Sequence, residues 1–233
     1  MYSFNSRIRY SESDREGKLT LHSLLNYFQD CSTFQSEDLG VGPSYLRENH
    51  LVWVLASWQI VIKRYPLLYE ETQIGTLPYQ FKGFLGMRNF FMKTKEGEDL
   101  AVANSIWSLL DTKTNKPAIP PEWMKERYPI EEKLPMEYAP RKVSIPSEFT
   151  RMEPVVVRKH HIDTNHHVNN GQYVEIAMEY LPENFLVTQL RVEYKKQAFI
   201  DDILYPVVSR TESGYIVSLR TKEESPYVNI EFK

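Results

Sequence analysis

The 233-residue chain has one cysteine, Cys31, and no apolar run approaching the ~18 residues of a membrane-spanning helix. A lone cysteine rules out an intramolecular disulfide and any cysteine-based zinc cluster, and it fits a reducing cytoplasm. The N-terminus, M-Y-S-F-N-S-R, lacks a signal-peptide profile, so a cytoplasmic protein is expected. An excess of one charge sign is also missing: 28 basic residues against 31 acidic give a net charge of −3. Nothing global therefore argues for nucleic acid or for an anionic membrane as partner. There is no G-x-S-x-G and hence no serine-nucleophile elbow. The histidine cluster His160, His161, His166 and His167 has no second ligand group elsewhere. Adjacent histidines on a strand would also point to opposite faces, so neither metal nor other cofactor is expected.

What is present is an ordinary globular composition, 42% hydrophobic and 25% charged, in a chain long enough to bury a real core. The chain repeats itself. Asp14–Cys31 lies over Asp163–Tyr180 without a gap, Asp14 matching Asp163. Each block follows a short β-like run (Arg7–Tyr10; Val155–Arg158) and leads into a helical pattern. Leu21, Leu24, Leu25, Phe28 and Cys31 fall on one helical stripe, which reads Cys31 as a buried, inert thiol. Thr20 is placed to cap that helix and Gly40 to let the chain leave it. In the second block Tyr173, Ile176, Ala177 and Tyr180 make the stripe, with Asn169 or Asn170 as cap and Pro182 as stop.

After each helix come four strand-like runs. In the first half these are Leu51–Tyr65, Thr72–Gln80, Phe84–Lys95 and Leu100–Asp111. In the second they are Leu186–Gln197, Ile203–Thr211, Tyr215–Lys222 and Tyr227–Phe232. Such a unit needs a mostly antiparallel sheet whose apolar face covers one helix, which makes the fold class α+β. Pro117–Pro154 holds eight of the fourteen prolines and suits an irregular connector. The expected organisation is an N-terminal domain over 1–116, a linker over 117–152 and a C-terminal domain over 153–233.

The most informative stretch is H-H-I-D-T-N-H-H-V-N-N-G-Q-Y, His160–Tyr173. If extended, it presents Asp163, Asn165 and His167 on one side. That supplies a base, a group to orient it and a hydrogen-bond donor beside a helix N-terminus, whose free N–H groups suit a developing negative charge. In the first half Glu16 and Lys18 stand opposite Asn165 and His167, and only Asp14 persists, so the first half has lost this chemistry.

The run D-x-N-x-H-V-N-N followed by Tyr173, together with V-E-Y-K-K (Val192–Lys196), resembles the catalytic segment of acyl-acyl carrier protein thioesterases. Trp53–Pro66, G-M-R-N (Gly86–Asn89), Ser105–Asp111 and I-P-P-E (Ile119–Glu122) are similar to that family in order and spacing. The resemblance implies two tandem hotdog domains, each an antiparallel sheet wrapped around a central helix. It also implies hydrolysis of the thioester between a fatty acyl chain and the phosphopantetheine arm of acyl carrier protein, in fatty acid biosynthesis.

Carried over by position, Asp163, Asn165 and His167 are catalytic. Gln197 and Ala198 depart from the glutamate-cysteine of plant members, which removes a cysteine nucleophile; Gln197 is left to orient a water. His167 is the expected general base, while Asp163 either fixes the imidazole tautomer or shares in water activation. The oxyanion is expected at backbone N–H groups near Asn169–Gly171. Asn169, Asn170 and Tyr173 are assigned to substrate binding, the asparagines being equally suited to capping. Trp53, Met87 and Trp107 of the first half are assigned to an acyl-chain pocket. Lys63-Arg64 and Lys195-Lys196 are candidate contacts for the acidic carrier protein. A coenzyme A thioesterase, a non-catalytic acyl-binding module and, more weakly, a hotdog hydratase stand as alternatives; a homodimer stays open.

Overall fold

The computed structural model describes residues 1–233, which divide into two compact units. The first comprises Met1–Ala56 and Ile60–Tyr138, the second Ser57–Gln59 and Ala139–Lys233. No helix is long and apolar enough to cross a membrane.

In the first unit, β1 (Tyr2–Arg7) precedes α1 (Leu21–Asp38), a short α2 (Pro43–Glu48) and the long strands β2 (Leu51–Ile62), β3 (Glu71–Lys82), β4 (Leu85–Thr94) and β5 (Asp99–Asp111). The strand order is β1-β3-β4-β5-β2, and a two-residue β6 (Lys116–Pro117) pairs with β5. The pairings recorded for β1, β3, β4 and β5 are antiparallel.

The expected helix forms for the expected reasons. Thr20 Oγ1 accepts the Ser23 N–H at 3.1 Å, and Gly40 takes φ +69 just past the C-terminus. Leu21, Leu24, Leu25, Phe28 and Cys31 are all buried to within 2%. Full burial of such an aliphatic or aromatic side chain is worth roughly 1.5–3 kcal/mol, so this stripe supplies much of what holds helix to sheet. Phe28 meets Phe90 of β4 at 5.3 Å between ring centroids. Gly75 on β3 leaves room for Phe91, since a Cβ there would lie 2.2 Å from that ring.

The connector is less irregular than its prolines suggest. After Pro120-Pro121, E-W-M-K-E-R folds into α3 (Glu122–Arg127). Two prolines pre-set the entry and good helix formers follow. Met124 and Tyr128 then join Val41, Leu46 and Leu109 in one apolar cluster. Farther on, the buried Asn89 accepts both the Leu134 N–H (3.1 Å) and the Tyr138 hydroxyl (2.9 Å), which ties this segment to β4.

The second unit repeats the plan with shorter elements: β7 (Thr150–Arg151), β8 (Val155–Val156), α4 (Asn170–Met178), β9 (Gln189–Tyr194), β10 (Ile203–Thr211), β11 (Gly214–Arg220) and β12 (Pro226–Phe232). The order is β9-β12-β11-β10-β7, antiparallel throughout, with β8 on β10. Its core is formed by Tyr173, Val174 and Ala177 of α4 with Leu190, Val192, Val217, Leu219, Val228, Ile230 and Phe232 of the strands.

Candidate active site

The stretch between Ile162 and Val168 is not extended, as strand alternation would have required. It is a tight turn closed by a β-bridge between those two residues. Asp163 N–H donates to His167 O at 2.9 Å, His166 N–H to Asp163 O at 3.1 Å, and Asp163 Oδ1 accepts the Asn165 N–H at 2.8 Å. An aspartate that captures the amide two residues on favours this turn over a strand. His166 completes it in the left-handed region, at φ +64. Asp163 and His167 thus come together because they flank a turn.

The first half builds the same turn. Asp14 N–H donates to Lys18 O (2.8 Å), Gly17 N–H to Asp14 O (3.0 Å), and Asp14 Oδ1 accepts the Glu16 N–H (2.9 Å). Gly17, at φ +74, stands where His166 stands. A glycine adopts that conformation freely, whereas a histidine is strained by it.

His167 is half-buried, its ring edge-on to Phe199 at 4.9 Å between centroids. Burial holds its imidazole below the ordinary value, the neighbouring Asp163 carboxylate pulls it back up, and His166 pushes it down again. The ring is therefore neutral at neutral pH and can accept a proton. Asn165 and Gln197 are exposed, and their carboxamides make no hydrogen bond within the chain.

The loop carrying Gln197 is fixed from both sides. Ala198 N–H donates to the Tyr173 hydroxyl at 2.8 Å, and Ala198 O accepts the Val168 N–H at 3.0 Å. Tyr173 is 2% exposed and its hydroxyl is committed to that loop, so it presents no free polar edge. Asn169 is the cap of α4, its Oδ1 accepting the Gly171 N–H at 2.8 Å. Asn170 opens the helix and accepts the Tyr194 hydroxyl at its carbonyl, 2.9 Å away.

Two of the expected oxyanion donors are consequently occupied. Asn169 N–H goes to His161 O at 2.8 Å, and Gly171 N–H to the Asn169 side chain. The Asn165 carboxamide on the turn and the Gln197 carboxamide on the loop held by Tyr173 and Val168 are exposed donors.

In the first unit, Trp53 packs on Phe81 at 6.2 Å and lies within reach of any Cβ placed on Gly86 (3.3 Å). Trp107 pairs directly with Gly86, so both tryptophans share the face that Phe90 turns to α1. Met87 alternates to the opposite face. An open groove of about 510 Å³ in this unit, lined by residues including Tyr79, Phe81, Glu122 and Tyr128, contains none of the polar cluster around His167. Phe199 is the contact that sequence reasoning missed. It lies in an irregular loop without periodicity, and its only signal is its place three residues after the basic pair.

Comparison with known proteins agrees with this plan over nearly the whole chain. The profile of the acyl-ACP thioesterase N-terminal domain matches residues 1–127, and that of the acyl-ACP thioesterase C-terminal domain matches residues 144–232. A chloroplastic acyl-[acyl-carrier-protein] hydrolase of Cuphea viscosissima is 26% identical over 236 residues, covering 91% of this chain and 55% of the relative. The chain thus spans about half the length of the curated relatives it matches. Among solved structures, an acyl-ACP thioesterase from Bacteroides thetaiotaomicron superposes with a TM-score of 0.90 at 22% identity, covering 99% of this chain and 96% of that one. A 12:0-ACP thioesterase from Umbellularia californica gives 0.86 at 17% identity, over 100% and 96%. The fold is the hotdog fold of these enzymes.

Proposed function

The chain belongs to the acyl-ACP thioesterase family, and from that premise we propose that it hydrolyses a fatty acyl thioester on acyl carrier protein, releasing free fatty acid and holo-carrier. The observation that carries this reading is His167: a half-buried imidazole kept neutral by burial, with the Asp163 carboxylate close enough to favour its protonated form.

In the proposed reaction a water oxygen attacks the thioester carbonyl carbon while its proton passes to His167. The carbon–sulfur bond then breaks, and the departing thiolate takes that proton from the imidazolium. Asp163 stabilises the imidazolium while it exists. The free carboxamides of Asn165 and Gln197 are suited to hold the water and to donate to the developing oxyanion, in a role the occupied N–H groups of Asn169 and Gly171 do not fill. Gln197 has no basic lone pair to offer, so it orients and donates only. Acyl-chain contacts are assigned to Trp53 and Trp107 on the helix-facing side of the first unit's sheet. A cytoplasmic site of action belongs to the same proposal and rests on the single buried cysteine, Cys31.

The test is thiol release from acyl-carrier and acyl-coenzyme A substrates of graded chain length. His167→Ala is expected to lower kcat by about 10²–10⁴-fold, the usual worth of a general base, with the thermal melt unchanged. Near-full turnover by that variant would remove His167 from the mechanism.

A further inference from the structure

The two halves correspond closely enough to compare how each treats the charges around its turn. Lys63 and Arg64 N–H groups converge on Leu100 O, as those of Lys195 and Lys196 do on Tyr227 O. The turn before Leu100 places Gly97 at φ +92, and the one before Tyr227 places Glu224 at φ +65. Lys63 and Arg64 therefore match Lys195 and Lys196, and Glu98 and Asp99 match Ser225 and Pro226.

In the first half each cation of this set is answered by a carboxylate. Arg9 pairs with Glu12 at 2.5 Å, Lys18 with Glu16 at 2.8 Å and Lys63 with Asp99 at 2.9 Å. Arg64 holds both Glu70 and Glu98 at 2.8 Å. In the second half three of the four cations recur as Arg158, Lys195 and Lys196, Lys18 gives way to His167, and Lys159 adds one where the first half has Tyr10. Of the carboxylates only Glu70 recurs, as Asp202, and that one accepts the Phe199 N–H (2.9 Å) and the Tyr227 hydroxyl (3.3 Å) instead of pairing with a cation; the others are replaced. His161 stands for Glu12, Asn165 for Glu16, Ser225 for Glu98 and Pro226 for Asp99. Lys195 finds a new partner in Glu193 at 2.6 Å. Lys196 has the Tyr227 ring 5.3 Å below its ammonium, and Arg158 and Lys159 are exposed. The loop beside them leaves Phe199, Ile200 and Ile203 exposed at 49%, 46% and 43%. Backbone hydrogen bonds from Val157 to Asp202 O (2.9 Å) and from Asp201 to Val157 O (3.1 Å) hold the two segments together, next to His167.

We propose that Arg158, Lys159 and Lys196, around the apolar strip Phe199–Ile200–Ile203, form the face on which the acidic surface of the acyl carrier protein docks. The proposal rests on the thioesterase reading and sharpens it. Of the two basic pairs only the second, through Lys196, contributes charge to a partner, because Lys63 and Arg64 are neutralised within the chain. Unanswered cations beside a reaction centre steer an acidic partner and fix its orientation, while the exposed apolar side chains supply area for the bound state.

The experiment uses the whole chain carrying Arg158→Glu with Lys196→Glu, and Lys63→Glu as contrast. Steady-state kinetics are run on an acyl-carrier thioester and on the same acyl chain carried by pantetheine alone. The double variant is expected to raise KM for the carrier substrate about tenfold or more and to flatten its dependence on ionic strength, leaving the pantetheine substrate unchanged. Lys63→Glu is expected to leave both KM values within about twofold of wild type. A carrier KM unchanged in the double variant overturns the proposal, as does an equal rise with both substrates. Anisotropy of a labelled holo-carrier measures docking without turnover. A chain that binds the carrier through these residues but hydrolyses nothing would retain the docking face and lose the thioesterase reading, so the two can fail separately.

Discussion

At the scale of single residues, the chemistry of the turn reduces to burial and two neighbouring charged groups acting on one imidazole. Burial lowers the affinity of His167 for a proton, Asp163 raises it and His166 lowers it. A base with a depressed value is active above that value, so kcat/KM should rise through an apparent pKa below the ordinary ~6.5 and reach its plateau by neutral pH. Asp163→Asn removes the one group pulling upward. Its acid limb should therefore move to lower pH while the plateau falls, and a pH–rate profile reads both effects. An acid limb moving to higher pH would show that Asp163 does not act on His167 in this way. His166 acts in the opposite sense and also carries left-handed strain that Gly17 avoids in the first half. His166→Gly should stabilise the chain by roughly 0.5–1 kcal/mol, the steric relief outweighing the entropy of a freer glycine. It should also shift the acid limb upward. A melt with parallel pH kinetics decides both points.

Among elements, the loop after β9 depends on α4. Tyr173 Oη accepts the Ala198 N–H, and a buried amide that loses its acceptor costs about 1–3 kcal/mol. Tyr173→Phe keeps the ring and removes only that acceptor. It should lower stability by that amount in a urea melt and reduce kcat through misplacement of Gln197 and Phe199. Full stability would mean that the amide finds another partner. The repeat itself was legible in the sequence, because Asp14 and Asp163 open equal-length blocks leading into capped helices with apolar stripes. The structure reproduces that register down to the bridges Ser13–Leu19 and Ile162–Val168. Periodicity misled over Asp163–His167, where alternate polar residues suggested a strand. An aspartate capturing the amide two residues on makes a turn from the same pattern. The task of Tyr173 was hidden as well, since its partner lies 25 residues away in a loop without periodicity. Nor could composition show the loss of counter-ions, because pairs such as Arg64–Glu98 join residues far apart in sequence.

For the molecule as a whole, one plan folded twice has been put to different uses. The first half keeps the turn, the helix and the strand-end hydrogen bonds, yet fills the reactive positions with Glu16 and Lys18, ion-paired at 2.8 Å. Where the second half has the free carboxamide of Gln197, the first has Tyr65, half-buried and raised in pKa mainly by burial. Its surrounding cations are already satisfied by Glu12, Glu70 and Glu98. Restoring the two reactive side chains should therefore not restore the reaction. A chain with His167→Ala, Glu16→Asn and Lys18→His is expected to stay below about 1% of wild-type thiol release, no better than His167→Ala alone. A general base by itself supplies only ~10²–10⁴, and a carboxamide at position 65 and the unscreened cations would still be missing. Recovery to a tenth of wild-type activity would show that the turn alone is sufficient, and that the differences at Tyr65 and at the carboxylates are incidental.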